Sequence, residues 1–177
     1  QKMKMPDIKM VTSEDVVAVA APDDDNVWIA GNYGVVYHSP DGGKTWNKQQ
    51  SGVETMLCDI RFLDATTGWI AGIQGVMLHT TDGGITWLRQ EPGTTRHLLS
   101  ICFVDRDYGW AVGEFSTILH TSDGGKSWTG QHEESDKIYN RVVFVDRSNG
   151  WIVGESGTML RTADGGMTWE PMLPEAF

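Results

Sequence analysis

The segment GWIAGIQGVMLHTTDGGITW, residues 68–87, decides the fold, because the chain writes variants of it four times. Trp28, Trp69, Trp110 and Trp151 follow one another at intervals of 41 residues, and so do Trp46, Trp87, Trp128 and Trp169. Asp41, Asp82, Asp123 and Asp164 keep the same interval, as do Gly31, Gly72, Gly113 and Gly154. All eight tryptophans therefore occupy two repeat positions, and four units of 41 fill 164 of the 177 residues. A fixed period of this length marks a chain built from stacked supersecondary units.

Working outward within the second unit, four β-rich runs appear: CDIRFL (58–63), GWIAG (68–72), VMLHTT (76–81) and TWLRQ (86–90). Gly, Asp and Thr-Gly punctuation separates them. Ile60 and Phe62 of the first run are echoed by Ile101 and Phe103 and by Val142 and Phe144. The third run carries adjacent apolar residues, as in Met77-Leu78, Ile118-Leu119 and Met159-Leu160. Neighbouring side chains on a strand point to opposite faces, so both faces of each sheet require cover. The expected fold is all-β: a β-propeller of four-stranded antiparallel blades. The blades are expected over about 15–50, 56–91, 97–132 and 138–173, after an N-terminal segment 1–14. Four units leave two arrangements open, a small closed ring or part of a larger propeller. No clear spare strand is present to clasp the first blade to the last, Ile8–Val11 being a weak candidate.

The turn between third and fourth strands reads SPDGGKTW (39–46), TTDGGITW (80–87), TSDGGKSW (121–128) and TADGGMTW (162–169). This is the Asp-box, or BNR-type, repeat, and its logic is local. The carboxylates of Asp41, Asp82, Asp123 and Asp164 accept N–H groups of their own turns. The glycine pair supplies positive φ without steric cost. Trp46, Trp87, Trp128 and Trp169 then anchor the outer strand to the blade.

Composition narrows the function. Fourteen basic side chains against 24 acidic ones, net −10, argue against a nucleic-acid binder and disfavour an anionic membrane surface. No apolar run reaches the roughly 18 residues that span a bilayer. Cys58 and Cys102 fall on opposite alternation phases and are expected as free, buried thiols. The chain begins at Gln1 rather than Met, as expected of a processed leader or of a trimmed sequence.

GWIAGIQGVMLHTTDGGITW (68–87) and GWIVGESGTMLRTADGGMTW (150–169) resemble the photosystem II stability and assembly factor family of propellers. The resemblance covers residues 15–170. It implies a non-enzymatic, extracytoplasmic (periplasmic or secreted) interaction propeller, seven-bladed in the family, that helps assemble membrane complexes. It implies no cofactor. The partner it implies is a protein or peptide, with a membrane-complex partner and self-association both open. The photosynthetic members hold their client with an arginine patch. Here Arg61, Arg89, Arg96, Arg106, Arg141, Arg147 and Arg161 show no cluster along the sequence.

What recurs in every blade reads as scaffold. Asp64, Asp105 and Asp146 recur as turn residues, and His38, His79 and His120 sit in different blades, so no metal site is expected. The run Asp23-Asp24-Asp25-Asn26 lacks the calcium-loop register. The enzymatic alternative is a glycoside hydrolase, or a lectin-like carbohydrate binder, of the Asp-box type. Sialidase chemistry needs an arginine triad and a Tyr–Glu pair that the chain does not display. A two-carboxylate hydrolase would have to draw on non-repeating acids such as Glu54, Glu133 and Glu134. Positions that vary between blades are the binding candidates, namely the turns between second and third strands and the inter-blade connectors. These give Tyr33, Gln74, Glu114, Phe115 and Glu155 from the turns, with Arg96, His97 and Tyr139 ahead of the inner strands. Both sets are expected on the face opposite the Asp-box turns.

Overall fold

The computed structural model describes residues 12–131 and 135–172. The proposed clasp Ile8–Val11 and the acids Glu133 and Glu134 lie outside these described residues.

Sixteen strands form four antiparallel sheets, each with its strands in sequence order from inside to outside. Blade 1 holds β1 (Val16–Ala20), β2 (Val27–Gly31), β3 (Val36–Ser39) and β4 (Asn47–Gln49). Blade 2 holds β5 (Leu57–Phe62), β6 (Gly68–Gly72), β7 (Met77–Thr80) and β8 (Leu88–Arg89). Blade 3 holds β9 (Leu98–Phe103), β10 (Gly109–Gly113), β11 (Ile118–Thr121) and β12 (Thr129–Gly130). Blade 4 holds β13 (Tyr139–Phe144), β14 (Gly150–Gly154), β15 (Met159–Thr162) and β16 (Glu170–Pro171). The four blades make a propeller arc. Its outer strands are shorter than the sequence suggests, because the Asp-box turn runs as far as its tryptophan. Among the described residues no helix is long and apolar enough to cross a membrane.

The core lies between the blades. Trp28, Ala30 and Val36 of blade 1 pack on Ile60, Phe62 and Leu78 of blade 2, and the pattern recurs at the next two joints. Each second-strand tryptophan stacks on the phenylalanine that ends the next blade's inner strand. The ring centroids lie 3.7 Å apart for Trp28–Phe62, 3.6 Å for Trp69–Phe103 and 3.5 Å for Trp110–Phe144. His38 and His79 stack on the other side of their own blades' tryptophans, and His120 leans on Trp110. Burial lowers the pKa of all three histidines, so they are neutral packing rings at pH 7.

The Asp-box turns form as the sequence predicts. Asp82 Oδ1 accepts the Thr86 N–H at 2.9 Å and Oδ2 accepts its hydroxyl, while Gly83 and Gly84 take φ of 71° and 83°. The turn also has a second duty that the local reading missed. The Gly83 carbonyl accepts the Trp28 indole N–H at 3.2 Å and the Gln49 side-chain amide at 2.7 Å, both from the preceding blade. Gly124 does the same for Trp69 and Gln90, and Gly165 for Trp110. The Asp-box is therefore a joint between blades as well as a turn.

These bonds predict acid behaviour. The Thr45 backbone N–H, then its hydroxyl, pulls the Asp41 pKa down from 3.8 to about 2. The Ser127 and Thr168 hydroxyls, then their N–H groups, likewise bring Asp123 and Asp164 to about 2. A carboxylate whose folded pKa is depressed stabilises the fold fully above its unfolded pKa, and that contribution fades as pH falls through the folded value. Stability should hold down to about pH 4 and be lost towards pH 2. Replacing Thr45, Thr86, Ser127 and Thr168 by alanine should move the acid transition, followed by tryptophan fluorescence, to higher pH.

A bulge interrupts every inner strand, shown by register shifts at Val16/Ala18, Leu57/Asp59, Leu98/Ser100 and Tyr139/Arg141. It corrects one expectation. Both cysteines are free, but Cys58 sits at the β5 bulge and is half-buried, whereas Cys102 is buried. Burial, reinforced by Asp59, pushes the Cys58 thiol up to about 11, and burial raises Cys102 too, so neither is a ready nucleophile.

Candidate functional site

The turns between second and third strands and the inter-blade connectors share one face. Ile73 N–H donates to Met56 C=O, Gly34 N–H to Thr55 C=O, and Ser116 N–H to Lys137 C=O. Each turn tip holds two successive left-handed residues, a geometry that favours glycine at the second position. Blades 1, 2 and 4 comply with Tyr33-Gly34, Gln74-Gly75 and Ser156-Gly157. Blade 3 does not: Phe115 and Ser116 take φ of 53° and 54°. Two non-glycine residues in this region store backbone strain, roughly 1–2 kcal/mol each.

The connector braces that strained turn. Arg96 donates from Nη1 to the Phe115 carbonyl at 3.1 Å, and its guanidinium lies 5.5 Å from the Phe115 ring centroid. Beside it His97 Nδ1 lies 3.2 Å from Glu114 Oε1. Gln74 shares with Arg96 the wall of an adjoining cleft formed by blade 2 and the connector that follows it. The structure thus groups Gln74, Arg96, His97, Glu114 and Phe115, with Phe115 52% exposed.

Three predicted residues stand apart. Tyr33 is 76% exposed at the tip of the blade 1 turn, and Glu155 is exposed in the blade 4 turn. Tyr139 is only 8% exposed, in the core between blades 3 and 4. It occupies the repeat position of Leu57 and Leu98, both buried, so it is a core residue, its remaining surface facing a cleft that Ser116 and Lys137 also line.

One polar group escaped the sequence reading. On the inner strands, Asp59 Oδ2 accepts the Ser100 hydroxyl at 2.9 Å and the Ile101 N–H at 3.0 Å. Arg141 Nη1 lies 3.5 Å from Asp59 Oδ1, and Ser100 Oγ accepts the Val142 N–H. Arg61 and Arg141 line the same cleft of about 250 Å³ between the inner strands, so two arginines distant in sequence share one wall. Positions 18, 59, 100 and 141 are repeat equivalents reading Ala, Asp, Ser and Arg, and that variation is the signal for the group. Among the described residues no three His, Cys, Asp or Glu side chains gather as a metal site. The recurring Asp64, Asp105 and Asp146 close their own turns by accepting backbone N–H groups.

The architecture is shared with known propellers. A YCF48 structure bound to a D1 peptide superposes with TM-score 0.63 at 17% identity, covering 94% of this chain and 84% of that one. YCF48 from Cyanidioschyzon merolae gives TM-score 0.60 at 15% identity, with 92% and 86% covered. The GH74 enzyme of Niastella koreensis gives TM-score 0.72 at 17% identity over 90% of this chain, which spans only 30% of the enzyme. At these identities the likeness is one of fold. No curated protein matches the sequence. The sequence model of the photosynthesis system II assembly factor YCF48 family matches residues 49–136 and 128–174, most of the chain, and the chain belongs to that family.

Proposed function

We propose that the chain is a non-enzymatic interaction module that holds a peptide or protein segment on its connector face, centred on blade 3. The observation that carries this reading is the strained Phe115-Ser116 turn, braced by Arg96 and presenting an exposed aromatic ring. Strain kept at an exposed turn is a cost that selection retains where the turn has work to do. An aromatic ring and an adjacent arginine are favoured interface anchors. Arg96 spends one N–H on the Phe115 carbonyl and keeps others for a carboxylate or carbonyl of the incoming segment. Gln74, His97 and Glu114 form the polar surround, with Tyr33 and Glu155 at the periphery. The D1 peptide bound by a YCF48 structure supports a peptide as the class of partner. An extracytoplasmic location rests on the family expectation alone.

The test is selection of a displayed random-peptide library on the protein, followed by affinity measurement of enriched peptides. Phe115→Ala and Arg96→Ala should each weaken them at least tenfold, about 1.4 kcal/mol, with Tyr33→Ala within about threefold. Failure to enrich any peptide, or equal binding by both variants, would sink the proposal. The likeness to GH74 enzymes carries no second reading by itself. The two clefts described here, beside Arg96 and between the inner strands, each bring a single carboxylate, Glu91 and Asp59 respectively. Glycoside hydrolysis requires two.

A further inference from the structure

The connectors vary where the blades do not, and the joints they cover differ as a result. Positions 53, 94 and 135 are repeat equivalents reading Val, Thr and Ser. At the first joint Val53 packs on the core that blades 1 and 2 form. At the second, Thr94 lines a cleft of about 330 Å³ together with Leu119 and Trp128. At the third, Ser135 lines a cleft of about 630 Å³ with Leu160 and Trp169, the repeat equivalents of that leucine and tryptophan. The leucine registers the loss of cover. Leu78 is 1% exposed and Leu119 4%, whereas Leu160, packed against the core between blades 3 and 4, is only half-buried.

The third cleft adjoins the strained turn. Ser116, the second left-handed residue of that turn, lies on its wall, and its hydroxyl hydrogen-bonds the Ser135 hydroxyl. Ser116 also donates its N–H to the Lys137 carbonyl. The turn is thus tied to a connector on this side, as Arg96 ties it on the other. Ile118, Tyr139, Leu160 and Trp169 give the cleft an apolar lining. Lys137 is the single charged side chain among the described lining residues, and it is exposed. A space of this size takes a whole side chain with room for the backbone that carries it.

We propose, resting on the peptide reading above, that this cleft is the specificity pocket of the peptide site: a segment held at Phe115 sends one aromatic side chain into it, between blades 3 and 4. Ser116 belongs to both the turn and the cleft wall, which puts ring and pocket within reach of one short segment. The lining selects the residue class. A Trp or Tyr side chain buries the most apolar area for only two restricted torsions. Tyr139 and Trp169 give it aromatic neighbours, and the Lys137 ammonium suits the face of a neutral ring. A carboxylate in the same place would lose its water among apolar groups with one exposed counter-charge in return. An alanine would leave the cleft unfilled.

N-acetyl-tryptophanamide, N-acetyl-alaninamide and the α-amide of N-acetyl-glutamate probe the cleft without a peptide. In heteronuclear NMR the tryptophan derivative should bind saturably, shift the Ile118 and Leu160 methyl resonances, and bind roughly tenfold more tightly than the other two. Ser135→Phe fills the cleft from an exposed connector position and should weaken that binding roughly tenfold. Asp136→Phe adds a ring on the neighbouring exposed residue, outside the lining, and should leave binding within about twofold. Should Ser135→Phe not fold, Ser135→Val decides, since it restores the residue of the first joint and should weaken binding about threefold. Library peptides that depend on Phe115 and Arg96 should share an aromatic residue. Its replacement by alanine should cost roughly tenfold on the natural chain and less than about threefold on Ser135→Phe. Peptides that depend on Phe115 and Arg96 without such a residue overturn the pocket and leave the peptide reading standing, as does tryptophanamide binding that the Ser135 variants do not change. Failure of any peptide to enrich overturns both.

Discussion

Trp69→Ala is expected to destabilise the chain by about 3–5 kcal/mol, whereas Trp151→Ala, at the same repeat position, should cost only about 1 kcal/mol. Trp69 is fully buried between Phe103 and His79, and its N–H ends on the Gly124 carbonyl. Truncation removes the stack, opens a cavity that the flanking sheets cannot close, and takes one donor from a shared acceptor. Among the described residues no further blade packs on Trp151, which is half-buried, so its truncation removes no stack between blades. Urea denaturation of the two variants measures the difference. Because the blades pack mainly on their neighbours, the Arg141–Asp59 ion pair apart, Trp69→Ala should also split one transition into two, with blades 1 and 2 separating from blades 3 and 4. Equal losses for the two tryptophans would show that the stack between blades contributes little.

The second large effect comes from the glycine that precedes each of these tryptophans. Gly109→Val should cost about 3 kcal/mol or more, because the added Cβ meets the Phe103 ring at 2.5–2.6 Å. The ring has nowhere to go, being stacked on Trp69 in front and met edge-on by Trp128. Combining Gly109→Val with Phe103→Ala reproduces the Ala21/Val27 pair of blade 1. The double variant should be more stable than the sum of the single losses by about 2 kcal/mol, a coupling that a double-mutant cycle measures directly. Strict additivity would mean that ring and glycine are not a matched pair.

The 41-residue period made the blades, their strands and the Asp-box turns legible, since each depends on local residue type and on an interval that never slips. What the repeat hid were contacts between units. A motif says that Gly83 closes a turn; it does not say that Trp28, 55 residues earlier, ends on its carbonyl. Tyr139 reads as a binding candidate because it differs from its equivalents in type, yet its backbone position is that of Leu57 and Leu98, so burial follows position. The bulge on each inner strand breaks simple alternation, which is why Cys58 was expected to be buried. The Asp59–Ser100–Arg141 group was missed because its members come from three blades and form no motif in any one of them. Within the candidate site the residue types were readable from variation between units. Their grouping around Phe115 depended on the side-chain path of Arg96, which no spacing encodes.

The joint in which a blade's tryptophan ends on the following blade's turn has a consequence for biosynthesis. The ribosome releases the chain from its N-terminus, so blade 1 emerges with Trp28 uncovered and remains so until the second Asp-box has been made. Each new blade then covers the hydrophobic side of its predecessor while exposing its own. A nascent chain folding in this order never shows more than one such side at its growing end, and aggregation pressure stays constant however many repeats are added.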